Sequence, residues 1–379
     1  MRCARPCSTP WPRPRCSWPK PDRQSLPVFF RAFPAFCSMP SVLLSIVTWN
    51  SAAVIEACLA SVLAQTYSDF EVWVVDNASA DDTRTRVAAI AATDARVKLH
   101  ALPRNTGFCG GHNYALDRTT SEAVLLVNPD IEMQPDYLAC ALARLQTDKR
   151  IGTVCGLLLQ SPDANPRIDS TGMEALPDGR FRLRHHAQRL HETPLTAGPV
   201  DGADGALPLY RRAFIDDLRV EGQFFDERFF AHKEDWDIAW RGRLFGWLTV
   251  FDPACRALHP REFRPADLRV RLRLSGNIKA DAVKNQWLLL LKNPPRRDLP
   301  GLWLRALPRQ LGILLYCLLL ERPSLRAYRY VWQHWGSIRH ARRLIQTRIR
   351  EREQPGRRLW PGPPAPTGKP LGNLAADLV

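Results

Sequence analysis

The sequence contains no long uninterrupted apolar run. Residues 311–320 come nearest, and this run is ten residues long, whereas a helix that crosses a bilayer needs about 20 mainly apolar residues. The sequence therefore argues against a membrane-spanning helix. It leaves open attachment to the surface of a membrane.

Acidic residues are scarce relative to basic ones, with 38 Asp and Glu against 53 Lys and Arg and a formal net charge of +15. The imbalance is strongest late in the chain, where residues 322–358 hold eleven arginines and two acidic residues. Such a charge distribution indicates a polyanionic partner or an anionic membrane surface.

Paired cysteine motifs are also absent. The ten cysteines are scattered and show no CxxC spacing, which excludes the common zinc-binding modules. Cys140, Cys155 and Cys317 lie in apolar stretches, as expected of reduced core thiols in a cytoplasmic protein. Residues 1–38 hold four cysteines and eight prolines, and we predict that this segment is disordered and precedes a functional start at Met39.

Two glycine-rich nucleotide motifs are missing as well. No GxGxxG follows the first predicted strand, and no GxxxxGK[ST] occurs in the chain. The sequence therefore argues against an ordinary dinucleotide site and against a P-loop NTPase.

What the chain does contain, from residue 40 onward, is an alternation of apolar strands and helices. Helical stretches separate the predicted strands, which span 41–47, 70–75, 97–101 and 123–127. This order predicts an α/β protein with a Rossmann-like, doubly wound, mostly parallel sheet. A later strand at 200–210 contains Pro208 and is therefore predicted near an edge of the sheet. Beyond residue 277 we predict a basic helical extension and then a disordered tail at 354–379.

Polar residues end these strands at the sheet edge where ligands bind in open α/β folds. They are Thr48 and Asn50 after the first strand, Asp76 and Asn77 after the second, and Asp130 after the fourth. We expect these side chains to converge on one crevice that suits a nucleotide, with a carboxylate holding a divalent ion on the diphosphate. Two simpler interpretations stay open: a helix cap for Asp76 and Asn77, and a turn aspartate for Asp130.

Six short motifs follow one another in a fixed order. They are SIVTWN at 45–50, VVDNASADDT at 74–83, NTGFCGGHN at 105–113, LVNPD at 126–130, FDERFF at 225–230 and EDWDIAWR at 234–241. In this order they resemble family 2 glycosyltransferases of the GT-A fold, in the bacterial rhamnosyltransferase-like branch. The resemblance covers about residues 40–260, so we expect a GT-A domain at 39–262 and a basic, apolar, helical, membrane-associating region at 263–353.

The resemblance implies a nucleotide-sugar donor, a Mg²⁺ or Mn²⁺ ion and inversion at the anomeric carbon. It implies that Thr48, Asn50 and Asp76 contact the nucleoside and that Asp130 ligates the metal as the last residue of a DxD-like motif. The first position of that motif is Asn128 here, whose amide adds no negative charge. The other motif residues expected to bind the nucleotide sugar are Asn77, Gly107, Asn113 and Glu234.

His259 stands in ALHP at 257–260, where similar enzymes place a second metal ligand or a diphosphate contact. An imidazole ligand suits Mn²⁺ better than Mg²⁺. A buried histidine at the end of a strand, with no ligand to bind, is the alternative interpretation.

Asp235, in the acidic run at 234–237, is the predicted catalytic base. Displacement at the anomeric carbon needs a carboxylate that takes the acceptor hydroxyl's proton on the face opposite the leaving diphosphate. The alternative is structural, because acids are favoured at a helix N-terminus and Asp237 and Arg241 have the spacing of an ordinary surface ion pair.

The C-terminal helices combine arginines with apolar runs. An RNA-binding arm has no use for the apolar runs, whereas a helix at a membrane interface needs both features; a solvated basic face is the alternative. We therefore expect a cytoplasmic enzyme that docks on the inner face of the bacterial inner membrane and does not bind nucleic acid.

The expected reaction is transfer of a sugar, with rhamnose from dTDP-rhamnose the leading prediction, to a cell-surface polysaccharide or lipid-linked saccharide. Galactofuranose, glucose and N-acetylhexosamine donors stay open within the same class. Outside it, a catalytically inactive protein that binds nucleotides or anionic surfaces is the alternative, because Asn128 weakens the DxD-like motif.

Overall fold

The computed structural model of the chain describes residues 41–260 and 276–352. The predictions of disorder for residues 1–38 and 354–379 lie outside the described residues. So does the boundary predicted between residues 262 and 263.

The main sheet has the strand order β10-β12-β6-β11-β4-β1-β2-β3, with β5 paired to β12 and β7 paired to β6. A separate hairpin consists of β8 and β9. The strands of the described residues are β1 (Val42–Thr48), β2 (Phe70–Asp76), β3 (Val97–Ala101), β4 (Ala123–Val127), β5 (Glu132–Met133), β6 (Ile151–Leu159), β7 (Ile168–Ser170), β8 (Met173–Ala175), β9 (Phe181–Leu183), β10 (Gly198–Val200), β11 (Leu209–Arg211) and β12 (Leu248–Leu258).

Strands β1 to β4 form the parallel half of the sheet. β1 pairs with β2 on one side and β4 on the other, and β2 pairs with β3. Every residue of β4 is buried, as expected of an apolar strand covered on both faces. Thr48 pairs with Asp76 in the register of β1 and β2, so both polar residues reach the same edge. The predicted α/β architecture is confirmed.

The other half of the sheet is mixed, and here one prediction was wrong. β11 lies in the interior of the sheet, antiparallel to both β4 and β6, although Pro208 indicated an edge. Pro208 precedes β11 and contributes its carbonyl, which accepts a hydrogen bond from the backbone N–H of Leu126 at 3.0 Å. Because that position needs only an acceptor, the missing N–H of proline leaves no hydrogen bond of the sheet unmade there.

The helices pack on both faces of the sheet and beyond it. In the described residues they are α1 (Ile55–Leu63), α2 (Thr83–Ala91), α3 (Gly107–Leu116), α4 (Tyr137–Gln146), α5 (Arg212–Leu218), α6 (Glu234–Leu244), α7 (Gly276–Lys292), α8 (Leu299–Leu319), α9 (Arg326–Gln333) and α10 (Trp335–Arg352). None of the six cysteines in the described residues forms a disulfide.

The C-terminal helices share a hydrophobic core with the sheet. Leu288 and Leu289 of α7 and Ile345 of α10 are fully buried in the same cluster as Tyr210 and Phe214. The helical extension is therefore packed against the domain that carries the motifs.

Helix α8 is buried along one face only. Five leucines of its other face, at positions 304, 307, 311, 315 and 318, are between 45% and 79% exposed, and we call them the leucine ridge. Within the described residues, the segment Arg296–Leu319 is long and apolar enough, by length and composition alone, to cross a membrane. Counting uninterrupted apolar residues did not detect it, because Arg305 and Arg309 interrupt the run.

Candidate active site

The first part of the site lies where β1 and β2 end. Thr48 Oγ1 donates to Asp76 Oδ1 at 3.1 Å, and both residues are fully buried. Asp76 Oδ2 accepts from the backbone N–H of Ser79 at 3.0 Å and pairs with Arg84 at 3.2 Å. These contacts fix the loop that leads into α2. Direct contact of Thr48 and Asp76 with a nucleoside stays a prediction.

Asn50 lies at the exposed rim of this crevice. Its φ angle is 53°, a left-handed conformation that Asn tolerates better than most residues. Its Oδ1 accepts from the backbone N–H of Ala80 at 2.8 Å. The neighbouring residue, Trp49, is 59% exposed. Its ring is an aromatic surface that the sequence motifs did not indicate.

Asn77 and Gly107 join the end of β2 to the start of α3. Asn77 Nδ2 donates to the carbonyl of Gly107 at 2.9 Å, and Asn77 Oδ1 accepts from the backbone N–H of Thr106 at 3.1 Å. Gly107 has a φ angle of 74°, and a Cβ there would lie 2.4 Å from the carbonyl oxygen of Phe230. Glycine is thus required by close packing. Nucleotide contact by Asn77 and Gly107 stays a prediction.

Asn113 binds the backbone of a distant loop in the same way. Its Nδ2 donates to the carbonyl of Phe225 at 2.8 Å, and its Oδ1 accepts from the N–H of Phe225 at 3.0 Å. The amide is therefore engaged within the protein, where it holds the loop that precedes α6.

Asp130 and His259 lie together at the carboxyl end of β4. The side chain of Asp130 is 27% exposed, and its Oδ2 is 3.6 Å from His259 Nε2. On the other side of the ring, His259 Nδ1 is 2.7 Å from Oδ2 of the fully buried Asp169. Asp169 lies in the strand β7, and no sequence motif pointed to it. A buried carboxylate behind an imidazole fixes the ring's tautomer and orientation, as partners of metal-ligating histidines do.

The donor set at Asp130 and His259 fits a divalent metal. Neighbouring ligands of an octahedral ion with bonds of about 2.1 Å are about 3 Å apart, close to the observed separation of 3.6 Å. The described residues contain no group of three or more His, Cys, Asp or Glu side chains arranged to hold a metal. Two protein ligands would therefore leave the other positions to phosphate oxygens and water.

The turn that carries Asp130 is joined to Asp235 by one short backbone segment, residues 204–206. The N–H of Asn128 donates to the carbonyl of Ala206 at 2.9 Å. On the same segment the N–H of Gly205 donates to Asp235 Oδ2 at 3.3 Å. The residues implied for the metal and for the base therefore flank the same segment of chain.

Asp235 is held at the start of α6. Its Oδ1 accepts from the backbone N–H of Trp236 at 2.8 Å, so each carboxylate oxygen has a backbone donor. Asp204 lies beside the same cluster and is 7% exposed. Sequence reasoning missed Asp204 because the stretch around it read as a strand.

The loop before Asp235 is strained and is held by α7. Three of its residues, Phe230, His232 and Lys233, have φ angles of 64°, 69° and 67°, which non-glycine residues adopt only when the surroundings enforce them. The buried amide of Asn285 in α7 enforces them, because it donates at 2.7–3.1 Å to the carbonyls of Phe229, Ala231 and His232.

A buried ion network ties α7 to α6. Lys292 Nζ lies 2.6 Å from Asp226 and 2.9 Å from Asp237, and Asp237 also pairs with Arg241 at 2.7 Å. Asp237 and Arg241 are each 1% exposed, so the surface-pair interpretation is wrong. Burial alone would raise the pKa of Asp237, but Arg241 and Lys292 hold it below its ordinary value.

Glu234 is the one carboxylate of this region with an unsatisfied oxygen: it is 7% exposed, and its Oε2 has no hydrogen-bond partner within the described residues. Burial, followed by the charge of Asp235, raises the pKa of Glu234 well above its ordinary value. Its predicted contact with the donor stays a prediction.

The raised pKa of Glu234 predicts a pH-dependent stability. In the unfolded chain Glu234 ionises at about pH 4.5, whereas the folded protein releases this proton only at higher pH, so stability falls as pH rises between the two pKa values. Glu234→Gln removes this loss. We expect it to raise the Tm by at least about 2 °C at pH 8, with a smaller gain at pH 4.5.

Calorimetric melting at both pH values measures this difference. Glu122→Gln, at an exposed position, is the control and should not change the Tm at either pH. The same gain at pH 4.5 and pH 8 in the Glu234→Gln variant would refute the assignment of a proton to Glu234.

Comparison with known proteins points to the same class of enzyme. Residues 44–219 match the family model described as glycosyl transferase family 2. N-acetylglucosaminyl-diphospho-decaprenol L-rhamnosyltransferase of Mycobacterium tuberculosis is 27% identical over 241 residues, which are 56% of this chain and 74% of that protein. An N-acetylglucosaminyltransferase of Mesorhizobium japonicum is 29% identical over 199 residues, 52% of this chain and 45% of that protein.

Among solved structures, GalNAc-T7 with UDP, GalNAc and Mn²⁺ superposes with a TM-score of 0.52 at 14% identity, over 67% of this chain and 48% of that chain. This likeness agrees with the GT-A fold of the central sheet. The family match, the relatives and the order of the motifs lead to one conclusion: residues 44–219 form a glycosyl transferase family 2 domain, similar to that of bacterial rhamnosyltransferases.

Proposed function

We propose that the chain transfers a sugar from a nucleoside diphosphate to a saccharide acceptor with inversion at the anomeric carbon. One observation carries the proposal: residues 204–206 bind the turn of Asp130 on one side and Asp235 on the other. Direct displacement needs a leaving-group site and a base on opposite sides of the sugar. The shared contact of both groups with residues 204–206 supports this assignment.

On the donor side, Asp130 and His259 would hold the metal, and the exposed ring of Trp49 offers a stacking surface for the base. A bound Mn²⁺ or Mg²⁺ neutralises the charge of the leaving diphosphate. The imidazole in the donor set favours Mn²⁺. Asp169 keeps the His259 ring oriented by its 2.7 Å contact with Nδ1.

On the acceptor side, Asp235 takes the proton. The acceptor oxygen forms a bond to the anomeric carbon, the bond from that carbon to the diphosphate oxygen breaks, and the hydroxyl proton passes to the Asp235 carboxylate. The N–H groups of Gly205 and Trp236 hold this carboxylate in place, which limits the reorganisation needed during transfer.

For the substrates we propose dTDP-rhamnose as donor and a lipid-linked saccharide as acceptor. The support is the mycobacterial relative, whose name specifies L-rhamnose transfer to N-acetylglucosaminyl-diphospho-decaprenol. Other nucleotide sugars are tested alongside, because the Mesorhizobium relative is an N-acetylglucosaminyltransferase.

We also propose that the protein docks on the anionic inner leaflet through the leucine ridge. An exposed apolar stripe flanked by arginines is typical of helices at a membrane interface. Sedimentation with anionic vesicles tests it: the native chain should pellet, and a variant with serine at Leu311 and Leu315 should stay in solution.

A panel of nucleotide sugars, incubated with the chain and Mn²⁺, tests the reaction. We expect one donor to be consumed, EDTA to stop its consumption, and Asp130→Ala to lower turnover by at least about 100-fold, because the diphosphate loses its charge-neutralising partner. Asp69→Ala, at an exposed loop position, is the control. No consumption of any donor, or unchanged turnover in Asp130→Ala, would contradict the proposal.

A further inference from the structure

A second cavity borders helix α6, on which Asp235 is the second residue. Its volume is about 250 Å³. It is enclosed by the β8–β9 hairpin, Trp240 of α6, the turn at 294–298 and the first residues of α8. We call it the arginine pocket, because Arg180, Arg297 and Arg305 all line it.

The charges around the arginine pocket favour an anion. Two of its arginines have carboxylate neighbours, since Arg180 pairs with Asp178 at 2.8 Å and Arg297 lies 3.8 Å from Asp298. Arg305 adds a third positive charge. An adjoining cleft is also lined by Arg297, together with Arg296 and Arg350. The arginines around the two clefts therefore outnumber the neighbouring carboxylates. Arginine's planar fork matches phosphate oxygens better than lysine does.

The opposite wall of the pocket is apolar. Phe181, Trp240 and Leu302 form it, and the leucine ridge begins at Leu304, next to Arg305. A free phosphate has no use for this wall. An amphiphile with an anionic head and a hydrocarbon chain uses both.

The pocket adjoins the helix that carries the proposed base. Trp240 follows Asp235 by five positions on α6, about 8 Å along the helix axis. The ring of Phe181 in the pocket lies 6.0 Å from that of Trp236, the neighbour of Asp235. The pocket and Asp235 are therefore linked by helix α6 and by the contact between Phe181 and Trp236.

From this placement we propose that the arginine pocket binds the diphosphate of a polyprenyl-diphosphate-linked acceptor, whose hydrocarbon chain leaves along the leucine ridge. The proposal rests on the glycosyltransferase function and specifies its acceptor class. It assigns Arg297 and Arg305 to recognition of the acceptor, distinct from the donor site at Asp130 and His259.

Calorimetric titration with farnesyl diphosphate, a short polyprenyl diphosphate, tests the pocket without knowledge of the acceptor sugar. EDTA is present throughout, so that no divalent ion recruits the probe to Asp130 and His259. We expect Arg297→Gln/Arg305→Gln to weaken binding by at least about tenfold, as the loss of charged hydrogen bonds predicts. Both arginines reach solvent, so folding is expected to be preserved. The control is Arg329→Gln/Arg339→Gln, which changes two exposed arginines outside the pocket.

Inorganic diphosphate and farnesol, titrated in parallel, separate the two halves of the ligand. The proposal expects farnesyl diphosphate to bind more tightly than either. It is overturned if farnesyl diphosphate does not bind, if the pocket variant binds it as the native chain does, or if inorganic diphosphate binds equally well. Failure of the glycosyltransferase function gives a different result, because then the native chain consumes no nucleotide sugar whatever the arginine variants bind.

Discussion

We expect Asp235→Asn to lower kcat by about 10²–10⁴-fold, the usual contribution of a general base. The amide of Asn cannot take the proton that the acceptor hydroxyl releases. The donor side keeps Asp130 and His259, so the KM for the nucleotide sugar should stay within about twofold of that of the native chain. Steady-state assays with the donor identified from the panel measure both quantities.

The control for this variant is Asp216→Asn. Asp216 is an aspartate of α5 whose side chain is 55% exposed and which forms ion pairs on the surface, so its replacement should leave kcat unchanged. If Asp235→Asn retains more than about a tenth of native turnover, Asp235 is not the base and the proton has another acceptor.

The second large effect concerns stability. Lys292→Met should lower the free energy of unfolding by about 3–5 kcal/mol, because it leaves the buried carboxylates of Asp226 and Asp237 without one of their compensating charges. Lys292 is 1% exposed, so water cannot replace the ammonium group. Urea denaturation followed by circular dichroism measures the change.

Lys98→Met is the matched control. Lys98 forms an ion pair with Glu71 at 2.8 Å, but the two side chains are 46% and 51% exposed. Exposed pairs contribute about 0–1 kcal/mol. A loss in Lys292→Met no larger than that in Lys98→Met would show that the buried network does not hold α7 against α6.

The strands and the polar residues that end them could be predicted because the local pattern of apolar and polar residues determines them. Apolar strands such as β4 and the polar residues that end them follow from the chain's own periodicity. Parallel pairing then places Thr48 opposite Asp76. The proximity of Asp130 and His259 was implied by family resemblance, because the two residues lie far apart in the sequence.

The features that sequence missed depend on contacts between distant segments. Nothing in the sequence around Asp169 indicates that it supports His259, and Asn285 carries no motif although it binds three carbonyls of the loop before α6. Asn77 and Asn113 were predicted to bind the nucleotide sugar, yet their amides are engaged by backbone groups. A residue of a sequence motif can therefore support a site by fixing the backbone around it.

Contacts between distant segments also show that the C-terminal helices are packed against the rest of the protein. The sequence predicted a GT-A domain at 39–262 and a separate membrane-associating region at 263–353. In the structure α7 supplies Asn285 and Lys292 to the segment that presents Asp235, beyond the part of the chain that matches the family model. The segment that presents the proposed base is accordingly supported by α7, and α8, which carries the leucine ridge, follows α7 in the chain.

A crystal structure of the chain with Mn²⁺ and a nucleoside diphosphate tests the central claim most directly. The account predicts one Mn²⁺ bound by Asp130 and His259, with the terminal phosphate directed towards Asp235 across residues 204–206. A metal bound by other side chains, or a nucleotide whose phosphates point away from Asp235, would contradict it.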